Sequence, residues 1–364
     1  MRTETRAAAQ GHTARAREML ASSGVGALLI LKNENRRYVT GFTGSAGLAL
    51  ITPDEIFLGV DFRYEEQAAD EAPECTVVRG GRDPLGALAG AVKGRTLSPI
   101  GFESEFVSYA QTGRLREKFA PAELLPLSTV DRMRWVKDAA EVSAIARAVD
   151  IADTAYVHML DVLRPGLSER DAALELEIFM RRAGAERLAF ETVLASGPRS
   201  ALPHGRASGR IMGSGELVTL DFGAACLGYC SDITRTVVLG TADPRQRHIY
   251  DVVLDAQRQA LAMIRAGVMC RDVDARARSV IAAAGFGEAF GHSLGHGVGL
   301  EVHEGPRLSP IEDAALEPGM ILTVEPGIYL PGWGGVRIED LVVVTSDGCR
   351  ILTHAPKDFR VLPV

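Results

Sequence analysis

The sequence predicts two domains, an α/β N-terminal domain followed by an α+β C-terminal domain. The chain has 364 residues, which corresponds to two domains when each has roughly 100–200 residues. Up to about residue 127 short apolar segments alternate with amphipathic ones, whereas a long helical pattern and several β-rich stretches follow. We therefore predict the domains at residues 1–129 and 130–364.

The N-terminal domain is predicted from the alternation of short apolar segments with amphipathic segments. We expect helices at 13–22, 62–71, 84–92 and 108–119, and strands at 25–31, 48–60, 75–79 and 98–102. The glycine-rich stretch 41–47 resembles a phosphate-binding loop, but it lacks the GK[ST] ending and leads into a strand. We interpret it as a tight turn.

The C-terminal domain begins with two predicted helices. The first runs from Asp138 to Leu163, where the Arg-Pro-Gly at 164–166 stops it. The second begins at Ser168, a favourable N-cap, and ends before Gly184. The remaining elements are β-rich stretches at 191–196, 217–239, 319–330 and 334–346, and helices near 244–266 and 271–284. This order predicts an α+β domain with antiparallel hairpins.

Composition and charge exclude several classes of protein. Hydrophobic residues make up 46% and the formal net charge is −7, which is typical of a globular protein and not of a disordered one. No basic block is present, so we expect no nucleic-acid partner. The polar N-terminus and the shortness of the apolar run 25–31 predict a cytoplasmic protein without a membrane span. The five cysteines predict reduced thiols; Cys226 and Cys230 lack a second pair at zinc-finger spacing, so we interpret them as structural.

Two aspartates lie on a predicted hairpin. Asp221 and Asp232 are 232 − 221 = 11 residues apart and flank a turn whose midpoint falls at Cys226/Leu227. If the strands fold back there, the carboxylates face each other with Cβ atoms roughly 5 Å apart. Because two bare carboxylates repel, a positive group is expected between them.

A second hairpin repeats this pattern. Glu325 and Glu339 are each seven residues from Gly332, and each lies in an otherwise apolar strand. A buried carboxylate needs a counter-charge. For one such residue an ion pair with Arg337 is an equally good explanation, but four carboxylates on two hairpins favour a metal site.

A glycine-rich segment supplies three histidines. His292, His296 and His303 lie within residues 291–304, where the glycines make a helical HExxH motif improbable. An extended segment of this kind suits one metal ligand and two neighbours that hydrogen-bond a substrate. Four carboxylates and one imidazole favour two divalent ions, Mn²⁺, Co²⁺ or Zn²⁺.

These motifs resemble a known family. HSLGHGVGLEVHE, DFG…SDITRT, TVEPGIYLPG and GVRIED resemble the ligand blocks of the pita-bread metallopeptidases, the group of methionine aminopeptidase, prolidase and aminopeptidase P. The resemblance covers about 130–364. YVTGFTGSAGLALIT and VDFRYEEQA resemble the creatinase-like N-terminal domain of Xaa-Pro peptidases, especially aminopeptidase P, whereas methionine aminopeptidases lack such a domain.

The resemblance implies roles for individual residues. It implies that the ligands of a dinuclear metal centre are Asp221, Asp232, His296, Glu325 and Glu339. It makes His204, His292 and His303 catalytic and substrate-contacting, and we add Arg337 as a substrate-binding candidate.

The implied reaction is hydrolysis of the Xaa-Pro bond at the N-terminus of a small peptide with proline in second position. A water bridging the two ions loses a proton to Glu325 and attacks the carbonyl carbon before proline. One metal with His303 or His292 would stabilise the oxyanion, and a protonated neighbour would give a proton to the proline nitrogen. Asp232 would also hold the free α-amino group of the substrate.

Alternatives remain open at this point. They are a metal-free creatinase-like hydrolase acting on a small amidine, a non-catalytic module that binds a peptide or partner on the same fold, and methionine aminopeptidase. Within the Xaa-Pro peptidases, a dipeptidase (prolidase) and an aminopeptidase P that accepts longer peptides both fit, and the first-domain motifs lean slightly towards aminopeptidase P. The resemblance also implies a homodimer.

Overall fold

The structure is a computed structural model that describes the backbone of residues 2–363 and the side chains of residues 11–363. Its chain divides into two compact units, residues 1–134 and 135–364. The boundary expected after residue 129 lies just before the 3-10 helix Val130–Arg134, which ends the first unit. Among the described residues, no helix combines the length and the apolar composition that crossing a membrane requires.

The first unit contains a mixed six-stranded sheet with strand order β4-β3-β2-β1-β5-β6. The strands are β1 (Ala27–Ile30), β2 (Leu48–Ile51), β3 (Ile56–Val60), β4 (Thr76–Arg79), β5 (Ile100–Glu103) and β6 (Leu124–Leu127), and the helices are α1 (Arg2–Ser22), α2 (Asn33–Thr40), α3 (Glu65–Glu71), α4 (Pro84–Ala91) and α5 (Tyr109–Phe119). The predicted α/β alternation is confirmed. Helix α2 was not predicted, because its sequence NENRRYVT has no apolar period.

The glycine-rich stretch 41–47 begins where α2 ends. Gly41 has φ 76° and its N–H bonds to the carbonyl of Arg37, so this glycine is a helix C-cap. No regular element follows until β2 begins at Leu48. The stretch is therefore a seven-residue loop rather than a tight turn, and the strand expected after it is present.

The second unit combines two helix pairs with four small sheets. The helices are α6 (Ala139–Val162), α7 (Glu169–Arg182), α8 (Pro244–Met263) and α9 (Cys270–Ala283). Helices α6 and α7 begin at the expected residues, because Asp138 and Ser168 accept hydrogen bonds from the first-turn N–H groups. The predicted α+β class is confirmed.

The strands of the second unit are short and mostly antiparallel. They are β7 (Arg187–Leu188), β8 (Val193–Ser196), β9 (Leu217–Phe222), β10 (Ala224–Cys226), β11 (Tyr229–Cys230), β12 (Ile233–Leu239), β13 (Gly295–Gly297), β14 (Glu304–Leu308), β15 (Ile321–Val324), β16 (Gly327–Leu330), β17 (Gly334–Arg337), β18 (Asp340–Val344), β19 (Cys349–Ile351) and β20 (Val361–Leu362). Their sheets have the orders β11-β10-β7, β20-β12-β9-β8, β14-β13-β15-β18-β19 and β16-β17. Helices α6 and α7 pack on the second sheet, and α8 and α9 on the third.

The first hairpin has a different register from the predicted one. Asp221 lies opposite Thr234, so Asp232 is its diagonal neighbour and does not face it directly. The turn residues Leu227 and Gly228 have φ values of 51° and 77°, which is typical of a two-residue type I′ turn. Such a turn pairs Cys226 with Tyr229. The centre of the hairpin therefore lies between Leu227 and Gly228, one residue later than the predicted Cys226/Leu227 midpoint.

The second hairpin has the predicted register. Val324 pairs with Asp340 and Gly327 with Arg337, so Glu325 and Glu339 lie opposite each other between the two paired stretches. The ladder is interrupted at this point, and each carboxylate therefore lies at the end of a strand rather than inside one.

The glycine-rich histidine segment is extended, as predicted. β13 lies antiparallel to both β14 and β15. A Cβ atom on Gly295 would lie 2.0 Å from the carbonyl oxygen of Thr323, and one on Gly297 would lie 2.3 Å from that of Gly305. Glycine is required here because neighbouring backbones approach so closely.

Candidate metal centre

Three predicted ligands converge, two of them at strand ends (Asp232 before β12, Glu339 before β18) and one inside β13 (His296). Asp232, His296 and Glu339 each offer one ligand atom, and these atoms all lie within 4.8 Å of one another. All three side chains are buried. Nε2 of His296 lies 3.6 Å from Oδ2 of Asp232 and 3.4 Å from Oε1 of Glu325, which adds a fourth predicted ligand.

The tautomer of His296 suits a metal ligand. Its Nδ1 lies 3.0 Å from the carbonyl oxygen of Gly297, which can only accept a hydrogen bond. Nδ1 therefore carries the proton, and the lone pair on Nε2 faces the carboxylates. Burial lowers the pKa of His296 to about 3, so the ring is neutral, as a ligand must be.

Two threonines orient the glutamates. The Thr234 hydroxyl donates to Oε2 of Glu339 at 2.7 Å, and the Thr323 hydroxyl donates to Oε1 of Glu325 at 3.1 Å. Thr323 also accepts the N–H of His296 at 3.0 Å. Sequence reasoning missed both threonines; only Thr323, two positions from Glu325 in a buried strand, had a local signal.

Asp221 and Arg337 form a second part of the centre. Nη2 of Arg337 donates to Oδ2 of Asp221 at 2.6 Å. The other guanidinium nitrogens donate to Thr234 Oγ1, to the Pro203 carbonyl and to the Tyr329 hydroxyl. Arg337 thus pairs with Asp221 and not with the second hairpin's glutamates, and its proposed contact with substrate stays a prediction.

The electrostatics of this cluster favour a cation. Desolvation by burial raises the pKa of Asp221, and it raises the pKa values of Asp232 and Glu339 far above their usual range. The charges of neighbouring carboxylates add to the effect, as those of Glu339 and Asp221 do on Asp232. Burial likewise raises the pKa of Glu325 to about 8. A divalent ion would offset this concentration of negative charge, and carboxylate oxygens with one imidazole are donors that Mn²⁺, Co²⁺ and Zn²⁺ accept. The residues therefore fit a metal centre.

His292 is bound within the protein at both ring nitrogens. Nδ1 lies 2.8 Å from the Ser293 carbonyl oxygen, so Nδ1 carries the proton. Nε2 then accepts from the Tyr329 hydroxyl at 2.9 Å, and Tyr329 accepts from Arg337 at 2.8 Å. A chain of hydrogen bonds thus links His292 to Asp221 through a tyrosine that sequence reasoning missed.

The other two histidines are exposed beside the ligands. The ring of His303 lies with its centroid 4.3 Å from that of His296, and the partial burial of His303 together with the charge of Arg307 lowers its pKa. His204 lies close enough for its charge to influence Asp221 and His303. Both are placed where a substrate could reach them, and their catalytic roles stay predictions.

Two family models match the chain. The model described as metallopeptidase family M24 matches residues 143–346, which is more than half of the chain. The model described as creatinase/prolidase N-terminal domain matches residues 13–136.

Solved structures and a curated relative match nearly the full length. An Xaa-Pro dipeptidase from Bacillus anthracis has a TM-score of 0.94 and 42% identity, covering 97% of this chain and 100% of that one. An X-Pro aminopeptidase from Thermotoga maritima has a TM-score of 0.87 and 40% identity, covering 93% and 98%. An Xaa-Pro dipeptidase from Pyrococcus horikoshii is 39% identical over 94% of this chain and 96% of its own.

Proposed function

This chain belongs to metallopeptidase family M24, and we propose that it hydrolyses Xaa-Pro dipeptides at a centre of two divalent metal ions. The resemblance to the pita-bread Xaa-Pro peptidases is confirmed, as is the creatinase-like N-terminal domain. The protein is a metal-dependent Xaa-Pro exopeptidase. The observation that carries the metal site is the convergence of Asp232, His296 and Glu339 within 4.8 Å.

Different residues of the chain have different roles in the reaction. We assign Asp221, Asp232, His296, Glu325 and Glu339 to the metal ions, whose chemistry when bound is to polarise the scissile carbonyl and to acidify a water molecule. Glu325, fixed at Oε1 by Thr323, takes a proton from the attacking water and, once protonated, can give it to the departing proline nitrogen. His303 has a lowered pKa and is neutral near pH 7, so its one N–H can donate to the carbonyl oxygen.

Arg307 supports a dipeptide as the substrate. It lies on β14 directly opposite His296, so the two side chains share one face of the sheet. Arg307 is exposed, its charge reaches His303, and among the described side chains it has no ion-pair partner. The carboxylate of an Xaa-Pro dipeptide is only one residue from the scissile bond, and this guanidinium would bind it. Longer peptides place an uncharged amide there.

A comparison of two substrates tests the dipeptide preference. The metal-loaded protein should hydrolyse an Xaa-Pro dipeptide faster than the same dipeptide capped as its amide, with kcat/KM about 10- to 100-fold higher, as expected of a hydrogen bond to a charged group. Arg307→Met should remove that preference. Arg350→Met is the matched control, because Arg350 is exposed on β19 of the same sheet. Equal hydrolysis of the dipeptide and its amide by the wild-type protein would rule out the dipeptide assignment, and an equal preference in wild type and Arg307→Met would rule out the role of Arg307.

Metal identity, assembly and location also remain proposals. We propose Mn²⁺, Co²⁺ or Zn²⁺ from the donor set, and activity of metal-free protein reconstituted with each ion tests this. A homodimer and a cytoplasmic location are supported by the family resemblance and by the composition. Sedimentation velocity and cell fractionation test them.

A further inference from the structure

An ion pair between a buried aspartate and a partly exposed arginine lies on α9 behind the metal centre. Asp274 and Arg278 are one helical turn apart, with Nε to Oδ2 at 2.7 Å and Nη2 to Oδ1 at 2.9 Å. The Asp274 residue is 0% exposed. A buried carboxylate is strongly unfavourable unless it is paired and fully hydrogen-bonded, so the further partners of this pair are informative.

Those partners all belong to one stretch, residues 290–294, which we call the His292 segment. Arg278 donates from Nη1 to the Phe290 carbonyl at 2.9 Å and from Nη2 to the His292 carbonyl at 2.5 Å. Oδ1 of Asp274 accepts the N–H of Leu294 at 3.0 Å. The pair thus holds three alternate backbone groups of the segment. The Arg278 guanidinium also lies over the Phe290 ring, 4.4 Å from its centroid.

The same segment contacts the metal centre on its other side. The N–H of Glu325 donates to the Leu294 carbonyl at 2.8 Å. The Phe290 ring meets the His292 ring edge-on at 5.0 Å, and Nε2 of His292 accepts from Tyr329. The segment therefore lies between the ion pair and two residues of the centre.

We propose that Asp274 and Arg278 are positioning residues for the peptidase reaction, acting through His292. They fix the backbone from which the His292 ring projects. They thereby fix the position of the ring, which accepts a hydrogen bond from the Tyr329 hydroxyl. The Tyr329 hydroxyl in turn accepts a hydrogen bond from Arg337, which also donates to Asp221. The inference rests on the proposed function, because it assigns these residues to that reaction.

Arg278→Ala is the primary test, and α8 offers a matched control. We expect kcat/KM for an Xaa-Pro dipeptide to fall about 10- to 100-fold, the size of effect that a displacement of about 1 Å can produce. Arg247→Ala is the control, because Arg247 also pairs with an aspartate four residues away and lies over an aromatic ring, that of Phe359. Its kcat/KM should stay within about two-fold, as expected for an exposed pair. Arg278→Lys replaces the alanine variant if the latter fails to fold.

A double-mutant cycle with Tyr329→Phe separates positioning from general loosening. If Arg278 acts through the His292–Tyr329 hydrogen bond, Arg278→Ala should have little further effect, below about two-fold, once the tyrosine hydroxyl is gone. Equal fold-losses in the wild-type and Tyr329→Phe backgrounds would overturn the inference. Guanidinium added to Arg278→Ala should restore part of the lost kcat/KM, because Arg278 is partly accessible to solvent.

An imidazole ¹⁵N spectrum provides a readout without turnover. The wild-type protein should show His292 protonated at Nδ1 with a hydrogen-bonded Nε2, and Arg278→Ala should shift or broaden these signals. A His292→Gln sample assigns them. Unchanged His292 signals in Arg278→Ala would refute the positioning role. A wild-type protein without Xaa-Pro activity would instead contradict the proposed function, and the spectrum would still decide this inference.

Discussion

Thr234→Val removes one hydroxyl beneath the metal centre while nearly preserving the shape of the side chain. That hydroxyl donates to Oε2 of Glu339 at 2.7 Å and accepts from Nε of Arg337 at 3.0 Å. A hydrogen bond to a charged group contributes about 1.5–3 kcal/mol. Because Glu339 is an assigned ligand, we expect the loss to appear as metal affinity about 10- to 100-fold weaker.

Isothermal titration of the metal-free protein with Mn²⁺ measures this affinity directly. Thr236→Val is the matched control, since Thr236 is a buried threonine two residues further along β12. Its hydroxyl donates to the backbone carbonyl of Arg337 at 2.9 Å and touches no assigned ligand. Both variants lose a buried hydrogen bond, but only Thr234→Val should lose metal affinity. Equal affinities in the two variants would refute the reasoning that the Thr234 hydroxyl orients Glu339.

Three further predictions concern the same centre. Asp232→Asn should lose bound metal, measured by elemental analysis, together with Xaa-Pro hydrolysis; retention of both would contradict a two-metal mechanism. His303→Ala should keep its metal content and lower kcat, whereas loss of metal would make His303 a ligand. Burial raises the pKa of Glu325 to about 8, so the folded metal-free protein binds more protons than the unfolded chain between the usual carboxyl pKa, near 4.3, and pH 8. Its unfolding midpoint in urea should therefore fall as the pH rises through this window, and a midpoint that rises throughout it would oppose the assignment.

The sequence was sufficient to predict the segments that build the centre. Glu325 and Glu339 stand out because each interrupts an apolar stretch of sequence, and burial of a lone carboxylate demands a compensating charge. The symmetric spacing of Glu325 and Glu339 about Gly332 predicted their register correctly. In this hairpin, the turn glycine marks the centre.

The register of the first hairpin could not be predicted in the same way. Its register depends on Leu227 adopting a φ of 51°, a conformation that non-glycine residues rarely adopt. The sequence favoured a turn centred one residue earlier, and the pairing consequently differed by two residues. Asp221 still lies on the same face as Asp232, because a shift of two preserves the alternation of side chains, whereas a shift of one would have reversed it.

With the exception of Thr323, the residues that orient the ligands were not predictable from local pattern. Thr234 and Glu339 are 105 residues apart in the chain, and Asp274 reaches Leu294 from a helix. Their hydrogen bonds exist only after the strands and helices have packed, so no window of sequence contains both partners. Tyr329 is similar, since its partner His292 lies 37 residues earlier in the chain, in the loop before β13.

The position of the ligands explains why so many acidic groups can share one small volume. Asp232 precedes β12, Glu325 follows β15, and Glu339 precedes β18. At these strand ends the side chains are free of the strict alternation that directs neighbours to opposite faces. Each backbone nevertheless remains fixed, as the N–H groups of Glu325 and Glu339 donate to carbonyls of adjacent segments. The fold therefore holds the carboxylates together by its backbone pairing, and their mutual repulsion is what a bound divalent cation would relieve.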